Sequence, residues 1–199
     1  MTQQHGQHDL GGLRVAIIVT DDFEQSEMTE PRKALEQAGA ETVLIGLKPG
    51  KVHGMQHDQK AGTFDVQQTL DQANPEDFDA LELPGGALNA DTLRMQPQAQ
   101  QFVRGFQQAG KPMAVICHAP WLLVSDELAN GRTLTSYHTI QDDIRNAGGN
   151  WVDREVVRDN NLVTSRSPKD LPAFNREMIA LFAERRGSRA QAKAGAARG

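Results

Sequence analysis

Four short apolar segments, three of them followed by a stretch of helical composition, constrain the fold of this chain most strongly. The segments are nearly continuous in apolar and β-branched residues, which is typical of parallel strands buried on both faces. They occupy residues 13–19, 42–47, 80–83 and 113–116. Strands that alternate with helices predict an α/β domain, with a mostly parallel sheet and helices on both faces.

The intervening segments have helical composition and recognisable ends. Helices are predicted over residues 26–38, 91–108, 121–129, 139–147 and 171–182. The polar stretch 51–73 predicts a small hairpin outside the main sheet, and a second hairpin is predicted from residues 151–157 and 162–165 around the turn at 159–161.

Length and composition predict one globular domain. The chain has 199 residues, of which 24% are charged and 38% are apolar, a balance unlike that of a disordered chain. We expect a disordered leader over residues 1–11, a single domain over 12–186 and a disordered basic tail over 187–199.

The distribution of charge argues against general nucleic-acid binding. The net charge is -5, whereas affinity for a phosphate backbone needs clustered positive charge. The last 15 residues carry five bases and no acid, namely Arg185, Arg186, Arg189, Lys193 and Arg198. A solvated terminus is the preferred interpretation, and contact with nucleic acid or anionic partners is the alternative.

Cysteine usage and hydropathy indicate the compartment. Cys117 is the single cysteine, so an internal disulfide and a multi-cysteine metal site are excluded. Neither a run of about 18 apolar residues nor a signal-peptide pattern is present. A cytoplasmic protein without a membrane partner is therefore expected.

Candidate site residues follow three of the predicted strands. Ligands of open α/β sheets bind beyond the carboxyl ends of the strands, where this chain places residues 21–24, 84–86 and 117–118. A cysteine at the start of a helix has its thiolate stabilised by the macrodipole and by free N–H groups. Cys117 is therefore a candidate nucleophile, and a small buried apolar residue is the alternative.

The other candidates also have structural alternatives. Gly85 and Gly86 could offer N–H donors to an oxyanion or simply form a tight turn. Glu24 could act on the thiol or be an exposed loop acid. His53 and His57 have no obvious third ligand, so no metal site is predicted.

Several motifs together resemble the PfpI superfamily of intracellular peptidase-like and deglycase-like proteins. Residues 115–121 read VICHAPW, residues 83–86 read LPGG, and residues 22–24 read DFE. The likeness continues through LTSY at 134–137, DDIRNAG at 142–148, WVD at 151–153 and VTSR at 163–166. It covers about residues 13–184, in order and at the spacing of that superfamily.

This resemblance implies a fold and a set of site residues. The fold would be a flavodoxin-like three-layer sandwich with a nucleophile elbow that holds Cys117. Glu24 occupies the position of the acid that touches the thiol. His118 matches a histidine that is oriented by an acid from a neighbouring subunit. Direct spacing puts Ala90 at the position of that acid, and a one-residue insertion puts Asp91 there. A homodimer or higher homo-oligomer follows.

The resemblance also implies a function. It suggests a cofactor-free, cysteine-dependent stress-response enzyme that acts on reactive carbonyls or early glycation adducts. In this hypothesis Cys117 attacks, His118 moves protons, Glu24 tunes the thiolate, and the amides of Gly85, Gly86 and His118 stabilise negative charge. A cysteine peptidase of the PfpI type and a non-enzymatic redox sensor or chaperone are the alternatives.

The sequence is also similar to class I glutamine amidotransferases, which share the elbow. Those proteins complete their triad with a later His-x-Glu pair. His138 is the one histidine after the elbow, and Ile140 stands where the glutamate would be. Ammonia transfer from glutamine is therefore not expected.

Overall fold

The computed structural model describes residues 9–196, with side chains described for residues 9–184. Residues 1–8 and 197–199, which include most of the predicted leader and the end of the predicted tail, lie outside the described residues. No helix within the described part of the chain is long and apolar enough to cross a membrane.

Strands and helices alternate along most of the chain, as the apolar segments predict. The strands are β1 (Arg14–Ile18), β2 (Phe23–Glu24), β3 (Glu41–Gly46), β4 (Lys51–Gln56), β5 (Gln59–Asp65), β6 (Gln68–Thr69), β7 (Ala80–Leu83), β8 (Met113–Ile116), β9 (Thr133–Leu134), β10 (Asn150–Trp151), β11 (Val156–Asp159) and β12 (Leu162–Ser165). The helices are α1 (Gln25–Gln37), α2 (Ala87–Arg94), α3 (Pro97–Gln108), α4 (Pro120–Ser125), α5 (Gln141–Asn146) and α6 (Leu171–Ala196).

Seven of these strands form the central sheet, in the order β11-β12-β8-β7-β1-β3-β6. All neighbouring strands in it are parallel except the edge pair β11 and β12. The β4–β5 hairpin stands outside this sheet and pairs with the short β2. The structure thus confirms the predicted α/β class, the mostly parallel sheet and the excursion after β3.

Helices cover both faces of the sheet and complete a three-layer sandwich. On one face, Leu35 of α1 and Phe174 and Met178 of α6 pack against the sheet in a shared apolar cluster. On the other face, a second cluster includes Phe102 of α3 and Leu122 of α4. The flavodoxin-like architecture implied by the resemblance is confirmed.

The helix predicted after β7 is divided in the structure, and a proline explains the division. The single helix predicted over residues 91–108 is two helices, α2 and α3, because Pro97 begins α3 and cannot continue a preceding helix. Helix α1 begins at Gln25, six residues before the Pro31 that it contains. The predicted helix over 26–38 also contained Glu27, and the structure places this residue in the first turn of α1, on its buried face.

The ends of the domain also differ from the prediction. Leu10, placed in the disordered leader, is fully buried, and its N–H donates to the carbonyl of Ala38 at 2.8 Å. An apolar side chain that can reach the core orders the segment that carries it. Helix α6 continues to Ala196 instead of ending near Phe182, so its backbone enters the predicted tail, whose alanines favour helix.

Candidate functional site

Cys117 lies at a sharp turn directly after β8. Its φ is 63°, a left-handed conformation that non-glycine residues seldom adopt. Its N–H donates to the Ser165 carbonyl at 3.0 Å, and its carbonyl accepts from the Tyr137 N–H at 2.8 Å. The chain is thus held on both sides in the strained turn, and only 6% of the residue is exposed. This geometry is that of a nucleophile elbow.

The acid beside the thiol is Glu27, not Glu24. Glu27 lies in the first turn of α1, is fully buried and is hydrogen-bonded to the Cys117 side chain. The Glu24 carboxylate instead accepts hydrogen bonds from Ser26 Oγ and the His57 N–H, each at 3.0 Å. Because Glu24 is the extended residue before α1, its side chain points to the hairpin, whereas Glu27 points into the sheet.

Gly85 holds the Glu27 carboxyl in place, which corrects its expected role as an oxyanion donor. Its N–H donates to Glu27 Oε2 at 3.0 Å. A methyl group at Gly85 would collide with this oxygen and with the Cys117 β-carbon. Absence of a side chain therefore allows the carboxyl and the thiol to approach each other.

Burial controls the protonation of Glu27. It raises the pKa of this carboxyl to about 8, because a charge is poorly solvated there, and the nearby charge of Glu24 adds to the rise. The hydrogen bonds from Cys117 and Gly85 oppose it. Glu27 is consequently protonated at neutral pH and can donate a hydrogen bond to a sulfur anion.

The thiol is not the low-pKa group expected from its position. Burial raises the pKa of Cys117 well above its usual value, and Glu27 raises it further, while the amides of Gly86 and His118 oppose the rise. The helix that follows, α4, has only six residues, so its dipole is too small to offset burial. Ionisation of Cys117 therefore depends on a nearby proton acceptor.

His118 supplies that proton acceptor. Its Nδ1 lies 3.2 Å from Cys117 Sγ, and its Nε2 lies 3.3 Å from Thr139 Oγ1. The ring stacks on Tyr137 with centroids 4.7 Å apart. Burial lowers the pKa of His118, and the charge of His138 lowers it further. A neutral imidazole thus faces the thiol.

Of the remaining predicted site residues, some lie against Cys117 and others do not. The amides of Gly86 and His118 point at the Cys117 sulfur, as donors for negative charge would. Asp91 is exposed on α2, and the His118 Nε2 contact within the chain is made by Thr139. The predicted role of Asp91 in a neighbouring subunit is addressed below. His138 is exposed and contacts the far side of Tyr137.

Sequence reasoning also missed Glu82, a second buried acid below the site. Glu82 lies on the central strand β7 and is fully buried, and neither of its carboxyl oxygens has a hydrogen-bond partner among the residues that the structure describes. Burial and the charge of Glu27 raise its pKa well above the usual value. The detectable signal was an acid inside an otherwise apolar four-residue strand.

The fold and the site together define a class of protein: an α/β sandwich with a cysteine at a nucleophile elbow, a histidine beside the sulfur and a buried glutamate below it. A family model confirms this class, since residues 13–181 match the DJ-1/PfpI family. The chain belongs to the DJ-1/PfpI family.

Two bacterial proteins and one solved animal structure are among the proteins to which the chain is similar. General stress protein 18 of Bacillus subtilis (strain 168) is 43% identical over 172 residues, which cover 86% of this chain and 98% of the relative. Protein/nucleic acid deglycase 2 of Escherichia coli (strain K12) is 43% identical over 170 residues, covering 85% and 97%. The crystal structure of Drosophila melanogaster DJ-1beta superposes with a TM-score of 0.78 at 27% identity, covering 90% and 96%.

Proposed function

We propose that this protein is a cysteine-dependent enzyme that acts on reactive carbonyls or early glycation adducts as part of a stress response. The observation that carries the proposal is the contact of 3.2 Å between Cys117 Sγ and His118 Nδ1, with the protonated Glu27 carboxyl on the sulfur. Similarity to a deglycase and to a general stress protein supports the class of reaction and its setting.

The first step transfers a proton from the thiol to the imidazole. In the tautomer with Nε2 protonated, this N–H donates to Thr139 Oγ1, and Nδ1 is free to accept the proton of Cys117. The resulting thiolate accepts hydrogen bonds from Glu27 and from the amides of Gly86 and His118. Ionisation is therefore coupled to attack.

The second step forms a hemithioacetal. The sulfur bonds to the aldehyde carbon, the carbonyl π electrons move to oxygen, and the His118 imidazolium protonates that oxygen. With methylglyoxal, His118 then moves the proton from the former aldehyde carbon to the ketone carbon, and the hydroxyl proton passes to the ketone oxygen, which gives a lactoyl thioester. Water hydrolyses this thioester to lactate and free thiol. The net reaction adds one water molecule and needs no oxidant or reductant.

Methylglyoxal consumption and lactate release by the purified protein and by Cys117→Ala test this proposal. We expect turnover that the variant loses, with little cleavage of a fluorogenic peptide measured in parallel. Cleavage of the peptide alone would favour the peptidase. Turnover of neither substrate would favour the redox sensor or chaperone.

We further propose that Asp91 acts on His118 of a second copy in a homodimer or larger homo-oligomer. Helix α2 exposes two large apolar side chains, with 62% of Leu88 and 71% of Met95 accessible. Asp91 lies between them at helical spacing, so the three residues share one face. A second copy would bury this apolar face and bring its carboxylate to a neighbouring site.

A further inference from the structure

Five planar side chains contact one another in series beside Cys117 and form a stack in which the rings of His118 and Tyr137 are near-parallel and the other ring pairs are tilted. The Arg94 guanidinium lies 5.2 Å from the Trp121 ring centre, and the Trp121 ring centre lies 5.6 Å from that of His118. Beyond His118, the rings of Tyr137 and His138 follow at 4.7 and 4.5 Å. The reacting histidine is thus connected to a permanent cation through a single indole ring.

Arg94 is fixed in this stack by contacts that leave its charge unneutralised. Its Nε donates to Ser125 Oγ at 2.9 Å, and the guanidinium lies over the indole. Among the side chains that the structure describes, Arg94 takes part in no salt bridge. The side chain is only half-buried, so its two terminal nitrogens remain available to a ligand.

The nearby acids do not cancel this charge. Asp91, one turn earlier on α2, forms no ion pair with Arg94 among the described contacts, and Asp143 accepts the Trp121 indole N–H at 2.9 Å. A guanidinium held by stacking and by one neutral hydroxyl is suited to bind carboxylate or phosphate.

We infer that Arg94 is a specificity-determining residue which directs carbonyl substrates bearing a carboxylate or phosphate group to Cys117. This inference rests on the proposed function for the identity of the reaction. The anionic group would bind at the Arg94 end of the stack while the carbonyl carbon reaches the sulfur. Neutral carbonyls would react without this interaction.

Two alkylating reagents of matched shape test the inference without reference to turnover. Iodoacetate and iodoacetamide both transfer their methylene carbon to a thiol sulfur with loss of iodide, and they differ in charge. Because Cys117 is the only cysteine, its alkylation rate is measured directly by mass spectrometry. The ratio of the iodoacetate rate to the iodoacetamide rate reports anion attraction, since the neutral reagent corrects for thiol reactivity.

We expect Arg94→Gln to lower this ratio about threefold at pH 7.5, because the guanidinium lies one indole ring beyond His118 at a partly exposed site. The matched control is Arg14→Gln. Arg14 is also half-buried and lies over an aromatic ring, Phe78 at 4.7 Å. It is paired with Glu41 and begins β1, at the end of the strand away from the site. An unchanged ratio in Arg94→Gln, or an equal fall in both variants, would overturn the inference.

If Arg94→Gln does not fold, the salt dependence of the wild-type alkylation ratio and the variant Arg94→Lys test the inference. The wild-type ratio should fall severalfold between 10 mM and 0.5 M sodium chloride, because salt screens the charge, and Arg94→Lys should retain most of the ratio. A salt-independent ratio contradicts the inference. Competition by acetate and by inorganic phosphate shows which anion Arg94 prefers. Failure of carbonyl turnover with an intact charge preference would reject the proposed function but not this site.

Discussion

At the scale of single residues, the site depends on a carboxyl group that must be protonated. Glu27 has its pKa raised to about 8 by burial, so it is an acid at neutral pH and ionises in mildly alkaline solution. The ionised form would repel the Cys117 thiolate instead of donating a hydrogen bond to it. Carbonyl turnover should therefore decline as the pH rises above about 8.

Replacement of Glu27 tests this assignment. Glu27→Gln should lower kcat/KM at least about tenfold and abolish the alkaline decline, because the amide is a weaker donor and does not titrate. Glu24→Gln is the matched control, three residues away. It should keep the decline, shifted slightly to lower pH since the Glu24 charge contributes to the raised pKa of Glu27. Loss of the decline in Glu24→Gln instead would show that Glu24, as the sequence predicted, is the acid that acts on the thiol. Measurement of kcat/KM for carbonyl turnover from pH 6 to 10 distinguishes the two acids.

Glu82 is a residue that the fold tolerates at a cost. Both of its oxygens are buried without a partner, and such groups typically cost about 1–3 kcal/mol each. A carboxyl whose pKa is raised by folding destabilises the native state increasingly as the pH rises above the unfolded value. We expect Glu82→Leu to raise the free energy of unfolding by at least about 2 kcal/mol, more at pH 8 than at pH 5.

Urea denaturation at the two pH values measures this effect, and Glu82→Gln separates its parts. The amide introduced by Glu82→Gln would remain polar and buried but could not ionise. Its gain in stability over the wild type should therefore be small at pH 5 and appear mainly at pH 8. If Glu82→Leu destabilises the protein equally at both pH values, the carboxyl has a native partner that the described contacts do not include.

At the scale of secondary-structure elements, the junction between β7 and α2 determines how close the acid and the thiol can be. Gly85→Ala would insert a methyl group between the Glu27 carboxyl and Cys117, with the Ile116 carbonyl also only 3.0 Å away. We expect this substitution to lower the iodoacetamide alkylation rate and carbonyl turnover at least about tenfold.

Gly110→Ala is the control for this junction. Gly110 ends the segment after α3 with φ +62°, and an added methyl group would meet no atom within 4 Å. The control should lose about 1 kcal/mol of stability from backbone strain and retain full turnover per folded molecule. Equal loss of turnover in the two variants would show that general destabilisation, not the Gly85 contact, is responsible.

At the scale of the whole molecule, the proposed assembly makes a prediction about mixed subunits. Asp91→Ala keeps Cys117, and Cys117→Ala keeps Asp91, so each variant alone should have little activity. If Asp91 acts across a two-fold interface, refolding equal amounts together should restore about a quarter of wild-type turnover, since half the dimers are mixed and each has one complete site. Steady-state assays and analytical ultracentrifugation test this.

A double variant connects that result to the exposed face formed by α2 and its C-cap. Leu88→Lys with Met95→Lys should reduce the sedimentation mass to that of a monomer, because the apolar contact is lost. No complementation in the mixture, together with an unchanged mass, would exclude the proposed interface.

Several features could be predicted from the sequence because they depend on local pattern. Nearly continuous apolar segments are typical of strands that are buried on both faces of a sheet. The predicted bounds of strands β1, β3, β7 and β8 therefore lie within one residue of the observed bounds. The position of Cys117 at a strand end followed from the same pattern. The motifs around it also identified the family, which the match over residues 13–181 confirms.

Other features depended on packing between distant segments. Glu24 and Glu27 are three residues apart on the chain, and their order alone does not show which faces the thiol. Packing of α1 against the sheet places Glu27 with Met28, Pro31 and Leu35 on the buried face. An acid on that face was a detectable signal, but only the packing of the helix shows that it lies against the thiol.

The sequence by itself determined the class of fold, the position of Cys117 at a strand end and the family, because these follow from hydrophobic periodicity and from short contiguous motifs. Tertiary structure decided the protonation of the site. It placed Glu27, 90 residues before Cys117 in the chain, against the sulfur, assigned the Gly85 amide to that carboxyl, and raised the pKa of the thiol. Charge states depend on burial and on through-space contacts, which no local pattern contains.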